Sequence, residues 1–159
     1  MKNTWIILFL LCSCVTNRNL SSHPYSGSTI GCGSFTVYKL TQMNKGFLSV
    51  RYTGDYESLS QESSIDLSKT QLFTVQNKFY DGSIKELLCN DVLINPPIEL
   101  SNEEAIAGEL SISMTKEDFQ SMKSGRPYEI SVRLKNIQFE SGVIEYIELE
   151  NVLVGWLPG

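Results

Sequence analysis

The side chains with the clearest capacity for chemistry in this 159-residue chain are its four cysteines, which fall into two pairs. Cys12 and Cys14 lie directly behind an apolar N-terminal segment, whereas Cys32 and Cys89 lie far apart in the remainder of the chain. An even number of cysteines in a modest exported domain is typical of a disulfide. We therefore expect Cys32 and Cys89 to be bridged, with two buried free thiols as the alternative.

The rest of the sequence contains few side chains in arrangements typical of catalytic sites. The single histidine, His23, precedes the predicted domain, so no Ser-His or Cys-His nucleophile can be built within it. Two carboxylates would be enough for a glycosidase, but scattered acidic side chains are usually solvated surface. We expect a protein that is not an enzyme, with no catalytic residues, no metal ligands and no cofactor. The acidic residues with this potential are Asp55, Glu57, Glu62, Asp66, Glu103 and Glu104.

The first pair of cysteines belongs to a signal-like segment. A short start containing Lys2 precedes an apolar run over residues 5–11, which is too short to span a membrane. The sequence that follows, Leu11-Cys12-Ser13-Cys14, resembles the lipobox of bacterial lipoproteins, with leucine at −3 and a small serine at −1. This resemblance implies that residues 1–13 are a signal peptide and that Cys14 becomes an acylated N-terminus.

The resemblance also implies a location. Cys12 fits the pattern less well than Cys14, because bulky Leu11 would stand at −1. Cys14 would then anchor the protein to a lipid bilayer of the bacterial cell envelope, at the outer membrane or cell surface, with the periplasmic face as the alternative. An ordinary secretory signal cleaved nearby is the other interpretation. Residues 14–29 are polar and rich in turn formers, which predicts a flexible tether behind the lipidated cysteine.

The charge of the chain limits its partners. With 13 basic and 18 acidic side chains the formal net charge is −5, and no basic run is present. Binding to nucleic acid requires clusters of lysine and arginine that neutralise phosphates, so a nucleic-acid partner is not expected. The expected partner beyond the bilayer is a protein or a glycan of unknown identity, and the protein is expected to be monomeric.

Residues beyond the tether show the alternation of β-strands. Apolar residues recur at every second position in three segments, which predicts strands with one buried face. Turn formers separate these segments, and one short helix is predicted where Thr115–Asp118 resembles a capping box and Gly125 ends the pattern. The alternating apolar positions are Leu48, Val50 and Tyr52; Leu110, Ile112 and Met114; and Tyr128, Ile130, Val132 and Leu134.

Two hairpins are predicted from turn signals. A turn at Ser141-Gly142 would place Arg133 opposite Glu150, so that opposite charges meet across the strands. A second turn at Asp81-Gly82 would place Phe79 opposite Ile84.

Two asparagines interrupt the alternation of the C-terminal hairpin. In Leu134-Lys-Asn136-Ile137 and Leu149-Glu-Asn151-Val152 the apolar phase shifts at the asparagine. Such a shift indicates a β-bulge, or a strand that changes its buried face.

These elements predict one all-β domain over residues 30–159. Seven or eight short antiparallel strands with one short helix favour a β-sandwich of the Ig-like or Greek-key type, and a small closed β-barrel is the alternative. Combined with the lipobox, this predicts a membrane-anchored, non-catalytic binding or structural module of the cell envelope. An inhibitor of a secreted hydrolase, of the protease or lysozyme type, is the second functional hypothesis.

Overall fold

The computed structural model describes residues 23–90 and 95–155. The predicted signal peptide and the lipobox around Cys12 and Cys14 therefore lie outside the described residues. The described part forms two antiparallel sheets and one α-helix, which confirms the β-sandwich and not the closed barrel. The strands are β1 (Thr29–Cys32), β2 (Thr36–Leu40), β3 (Gly46–Tyr52), β4 (Glu62–Asp66), β5 (Phe73–Tyr80), β6 (Glu99–Glu104), β7 (Ala107–Ser113), β8 (Tyr128–Phe139) and β9 (Gly142–Val154).

The described residues thus contain nine strands, against the seven or eight predicted. The first sheet has the spatial order β1-β2-β3-β5-β6 and the second has the order β4-β7-β8-β9. Short 3₁₀ turns occupy Tyr56–Ser58, Leu67–Lys69 and Lys85–Leu87 in the connections. We refer to the two sheets as sheet A and sheet B.

The core lies between the inner faces of the two sheets. Cross-strand partners Val37, Val50 and Val75 line the inner face of sheet A, and all three are almost completely buried. Leu110 and Leu134 are opposite each other on sheet B and are also fully buried. The positions predicted to be buried from the alternation of apolar residues do lie on the inner faces. Apolar side chains on one side of a pleated strand are removed from water together.

Both predicted bulges are present in the C-terminal hairpin. Asn136 has φ of 51° and Asn151 has φ of 50°, in the left-handed region that asparagine tolerates better than most residues. The register of the neighbouring strand shifts at both places, between Ala107 and Glu109 and between Ile130 and Val132. Each asparagine adds one residue to its strand, which lets the strand bend while its apolar side chains stay in the core.

The register predicted for this hairpin is wrong. Arg133 pairs with Glu148 rather than with Glu150, because Glu140 and Ser141 form the turn, one residue earlier than expected. Between Val132 and Phe139 this shift moves each partner by two residues, so the side chains of this part of the hairpin keep their predicted faces. The opposite charges still meet, since Arg133 forms an ion pair with Glu148.

The hairpin predicted at Asp81-Gly82 is also wrong. The chain turns there, but residues 83–90 form no strand, and the antiparallel neighbour of β5 is β6. Phe79 consequently pairs with Ser101 rather than with Ile84. Ile84 is instead buried on the outer face of sheet A, where it packs against other apolar side chains.

The domain begins before residue 30. Tyr25, which the sequence placed in the tether, is only 2% exposed and packs in the main core. Its hydroxyl donates a hydrogen bond to Asn77 Oδ1, and the Gly27 N–H donates to the Leu40 carbonyl at 2.9 Å. Residues 25–28 therefore belong to the folded unit, and the predicted boundary lies too far along the chain.

The predicted helix is confirmed as α1 (Lys116–Lys123). Thr115 Oγ1 accepts a hydrogen bond from the Asp118 N–H at 3.1 Å, and Gly125 leaves the helix with φ of 68°. The Asp118 carboxylate also accepts the Glu129 N–H at 2.8 Å, so the helix is tied to the start of β8.

The bulge at Asn151 allows a direct test of the backbone geometry. Because alanine is disfavoured in the left-handed region, replacing Asn151 with Ala should lower the free energy of unfolding by about 1 kcal/mol. The matched Asn151→Gly variant should stay within about 0.5 kcal/mol of the parent, since glycine adopts this conformation freely. Urea unfolding of the three proteins measures both values. Equal stability of the two variants would show that the residue does not need a positive φ.

Candidate functional site

The disulfide predicted from the sequence is present. Cys32 and Cys89 are bonded, with their Cα atoms 5.6 Å apart. Cys32 ends β1, while Cys89 lies in the loop behind β5 and has φ of 64°. The bridge thus joins β1, at one edge of sheet A, to the loop that follows β5.

This loop, residues 81–90, covers one half of the outer face of sheet A. Ile84 is buried against Leu40 and Phe47, which project outward from β2 and β3. Leu87 and Leu88 pack against the same cluster. Together they form a second apolar core outside the sandwich, and the Cys32–Cys89 bond fixes the end of the loop that forms it.

The other half of the outer face is open and forms a groove of about 400 Å³. Across its floor Tyr38, Ser49 and Gln76 lie opposite one another on β2, β3 and β5. Arg51 lies at one end and Lys78 at the other. We call this surface the outer groove. Its remaining lining residues are Gly33, Ser34, Phe35, Thr36, Phe47 and Tyr52.

The shape of the outer groove follows from the size of its central residue. Ser49 is only 5% exposed because the longer side chains of Tyr38 and Gln76 stand on both sides of it. A small side chain between two long ones on a rigid sheet creates a trough lined by hydroxyl and amide groups. Such a trough suits a polar ligand that takes up several directed hydrogen bonds.

The wall of the groove is shared with the second apolar core. The rings of Tyr38 and Phe47 meet edge to face with centroids 5.0 Å apart, and both contact the cluster around Ile84. Burial raises the pKa of Tyr38, and the nearby Arg51 guanidinium acts in the opposite direction. The Tyr38 hydroxyl is therefore protonated at neutral pH and can donate a hydrogen bond.

The ionisable groups of the outer groove are phenol, guanidinium and ammonium groups. Its described lining contains Tyr38, Arg51, Tyr52 and Lys78, and no described lining residue has a carboxyl, imidazole or thiol group. Arginine stays charged in proteins, and Lys78 is held at 3.2 Å from Glu99. These phenol, guanidinium and ammonium groups can all donate hydrogen bonds to a ligand.

The acidic residues singled out from the sequence do not converge on a site. The hydrogen bond from Lys69, followed by those from Ser68, lowers the pKa of Asp66 to about 2, so this carboxylate caps its own turn. Glu103 accepts hydrogen bonds from the main chain and side chain of Ser141 and links sheet A to the β8–β9 turn. The others, Asp55, Glu57, Glu62 and Glu104, are exposed.

One hollow does contain two carboxylates that the sequence did not single out. Asp118 and Glu129 line a cavity of about 230 Å³ beside α1. Hydrogen bonds from the Glu129 main chain and then from Thr115 lower the pKa of Asp118. Through these hydrogen bonds Asp118 joins the first turn of α1 to the start of β8.

Neither a metal-binding cluster nor a membrane-spanning helix is found in the described ranges, 23–90 and 95–155. No group of three or more His, Cys, Asp or Glu side chains there is arranged to hold a metal ion. Within those ranges, no helix has the length and apolar character needed to cross a bilayer.

Comparisons with protein-family models, with curated proteins and with solved structures find no match for this chain. The outer groove and the chemistry of its side chains are therefore the basis for a functional assignment.

The sequence contains only a weak signal for the outer groove. Ser49 interrupts the apolar residues of β3, and Arg51 follows it on the same face. These positions are typical of an ordinary solvated strand face. They become a groove only because β5 pairs with β3, and because residues 81–90 cover the neighbouring half of the sheet.

Removal of the disulfide should weaken the fold. Because Cys32 is buried, alanine is the better replacement at both positions. In the chain-entropy model, the loop closed by this bond stabilises the protein by about 4 kcal/mol, so the double variant C32A/C89A should lose about that much. Guanidinium unfolding of the oxidised parent and the variant measures the difference. An unchanged midpoint would show that the bond does not constrain the unfolded chain.

Proposed function

We propose that this chain is a lipid-anchored protein of the bacterial cell envelope that binds a saccharide in its outer groove and does not catalyse a reaction. The outer groove is the observation that carries this proposal. Hydroxyl, amide and guanidinium groups are fixed there on neighbouring strands, beside the half-buried ring of Tyr38. Saccharides present many hydroxyl groups that both donate and accept hydrogen bonds, and such a lining can satisfy them.

Export is supported by two independent features. The segment Leu11-Cys12-Ser13-Cys14 resembles a lipobox, and the Cys32–Cys89 disulfide is of a kind that persists in oxidising compartments. With the anchor at Cys14 and the folded unit beginning near Tyr25, the intervening chain could span at most about 40 Å. The domain would therefore stay close to the membrane that holds it.

The concave surface favours a bound ligand over the alternative function, inhibition of a secreted hydrolase. An inhibitor of that kind inserts a convex loop into a cleft, whereas here the polar side chains line a depression in a sheet. Strands also hold these side chains more rigidly than loops do, which lowers the entropy lost on binding.

The anchor is tested by metabolic labelling of the full chain with a fatty-acid analogue in a bacterial host. Since Ser13 gives Cys14 the small preceding residue that Cys12 lacks, labelling should vanish in Cys14→Ser and persist in Cys12→Ser. The opposite pattern would move the anchor to Cys12. Label retained by both variants would remove the lipobox interpretation.

Saccharide binding is tested with the full chain in detergent on a printed array of bacterial and host glycans. Replacing Ser49 with Phe would fill the floor of the outer groove and should abolish array binding. The matched control is Ser111→Phe, a serine that faces outward from β7 on the opposite sheet, and it should bind like the parent. Unfolding midpoints confirm that both variants are folded.

Four results would contradict this function. An array without bound glycans, or binding that survives Ser49→Phe, would exclude the outer groove as a saccharide site. Tight one-to-one inhibition of a secreted protease or lysozyme would favour the alternative function. Turnover of peptide, ester or glycoside substrates by the purified chain would show that the protein is an enzyme.

A further inference from the structure

The two ends of the outer groove differ in free charge. At one end the Lys78 ammonium is 3.2 Å from the Glu99 carboxylate, and its side chain is only 22% exposed. At the other end Arg51 is exposed and takes part in none of the ion pairs formed among residues 23–90 and 95–155. The positive charge available to a ligand is therefore concentrated at the Arg51 end.

Neutral hydrogen-bond donors surround this charge. Thr36 lies directly opposite Arg51 on β2, and the Tyr38 hydroxyl is close enough for the two groups to influence each other electrostatically. The turn at Gly33-Ser34 forms the rim beside them. A guanidinium group with hydroxyl donors around it is suited to a carboxylate or sulfate, because charge-assisted hydrogen bonds are stronger than neutral ones.

Among the residues that the structure describes, no acidic side chain lines the outer groove. The nearest acidic residue in the register of the sheet is Glu104, which pairs with Gln76 on the far side from β3. Glu104 does not line the groove.

We propose that the outer groove selects saccharides that carry an anionic group, with Arg51 binding the carboxylate or sulfate. This inference rests on the proposed function and specifies its ligand class. The sugar ring lies over Ser49 between Tyr38 and Gln76, and a further ring reaches toward Lys78. Arg51 and the level of Lys78 are separated by four residues of β3, or about 13 Å, which leaves room for more than one ring.

The test compares polysaccharides that differ only in charge. Affinity electrophoresis of the full chain in detergent is run in gels that contain polygalacturonate or its methyl ester, and dextran sulfate or dextran. The first pair tests a carboxylate and the second pair tests a sulfate. We expect at least one charged polymer to retard the protein with an affinity about tenfold or more above its neutral partner.

The variant Arg51→Gln should lose this preference, with affinity for the charged polymer falling about tenfold. The matched control is Arg133→Gln, which removes the same charge from the outer face of sheet B and should bind like the parent. Unfolding midpoints verify that both variants are folded. The comparison of esterified with free polygalacturonate tests the role of ligand charge with the parent protein alone.

The outcomes separate this inference from the proposed function. Equal retardation by neutral and charged polymers that is lost in Ser49→Phe would keep the saccharide site and overturn the selection by charge. Retardation by a charged polymer that is equally weakened in Arg51→Gln and Arg133→Gln would show a general electrostatic effect and overturn the assignment of Arg51. If all four polymers and the glycan array leave the protein unbound, both proposals are wrong.

Discussion

The covalent bond between Cys32 and Cys89 is the constraint on which the outer surface of sheet A depends. A sandwich of this size needs only its inner faces to form a core, so apolar side chains on an outer face would remain exposed to water. Here residues 81–90 cover them, and the disulfide fixes the end of that segment against β1. The covered half of the face supplies one wall of the outer groove, because Tyr38 and Phe47 contact both.

The sequence predicted those features that depend on local alternation and on simple chemistry. The buried faces of the strands, the helix capped by Thr115, the bulges at Asn136 and Asn151, and the bonded cysteines all follow from residue type and spacing. The bulges were predictable because an extra residue in a strand must shift the phase of its apolar side chains. The shift of the C-terminal turn by one residue escaped prediction, since both registers bring Arg133 opposite a glutamate.

The outer groove could not be predicted because it depends on contacts between distant parts of the chain. Ser49 and Gln76 meet only because β4 leaves for the second sheet and β5 returns beside β3. Tyr25 was misplaced for a related reason, since it is a lone apolar residue in a polar stretch and is buried by distant partners. Ile84 was assigned to a strand, but it is buried against Leu40 and Phe47 of β2 and β3. The outer groove has free positive charge at its Arg51 end, although the protein as a whole is acidic. This local positive charge is the reason for proposing an anionic saccharide as the ligand.

The dependence of the outer groove on the disulfide-held loop is the central structural claim. It is tested most directly by comparing amide chemical shifts of the isotope-labelled chain in its oxidised and reduced forms under native conditions. We expect the chemical-shift changes to be concentrated in residues 81–90 and at Tyr38, Phe47 and Ser49, with the amides of β7 and β8 largely unchanged. Unchanged shifts at the groove residues after complete reduction, or equal changes throughout both sheets, would contradict it.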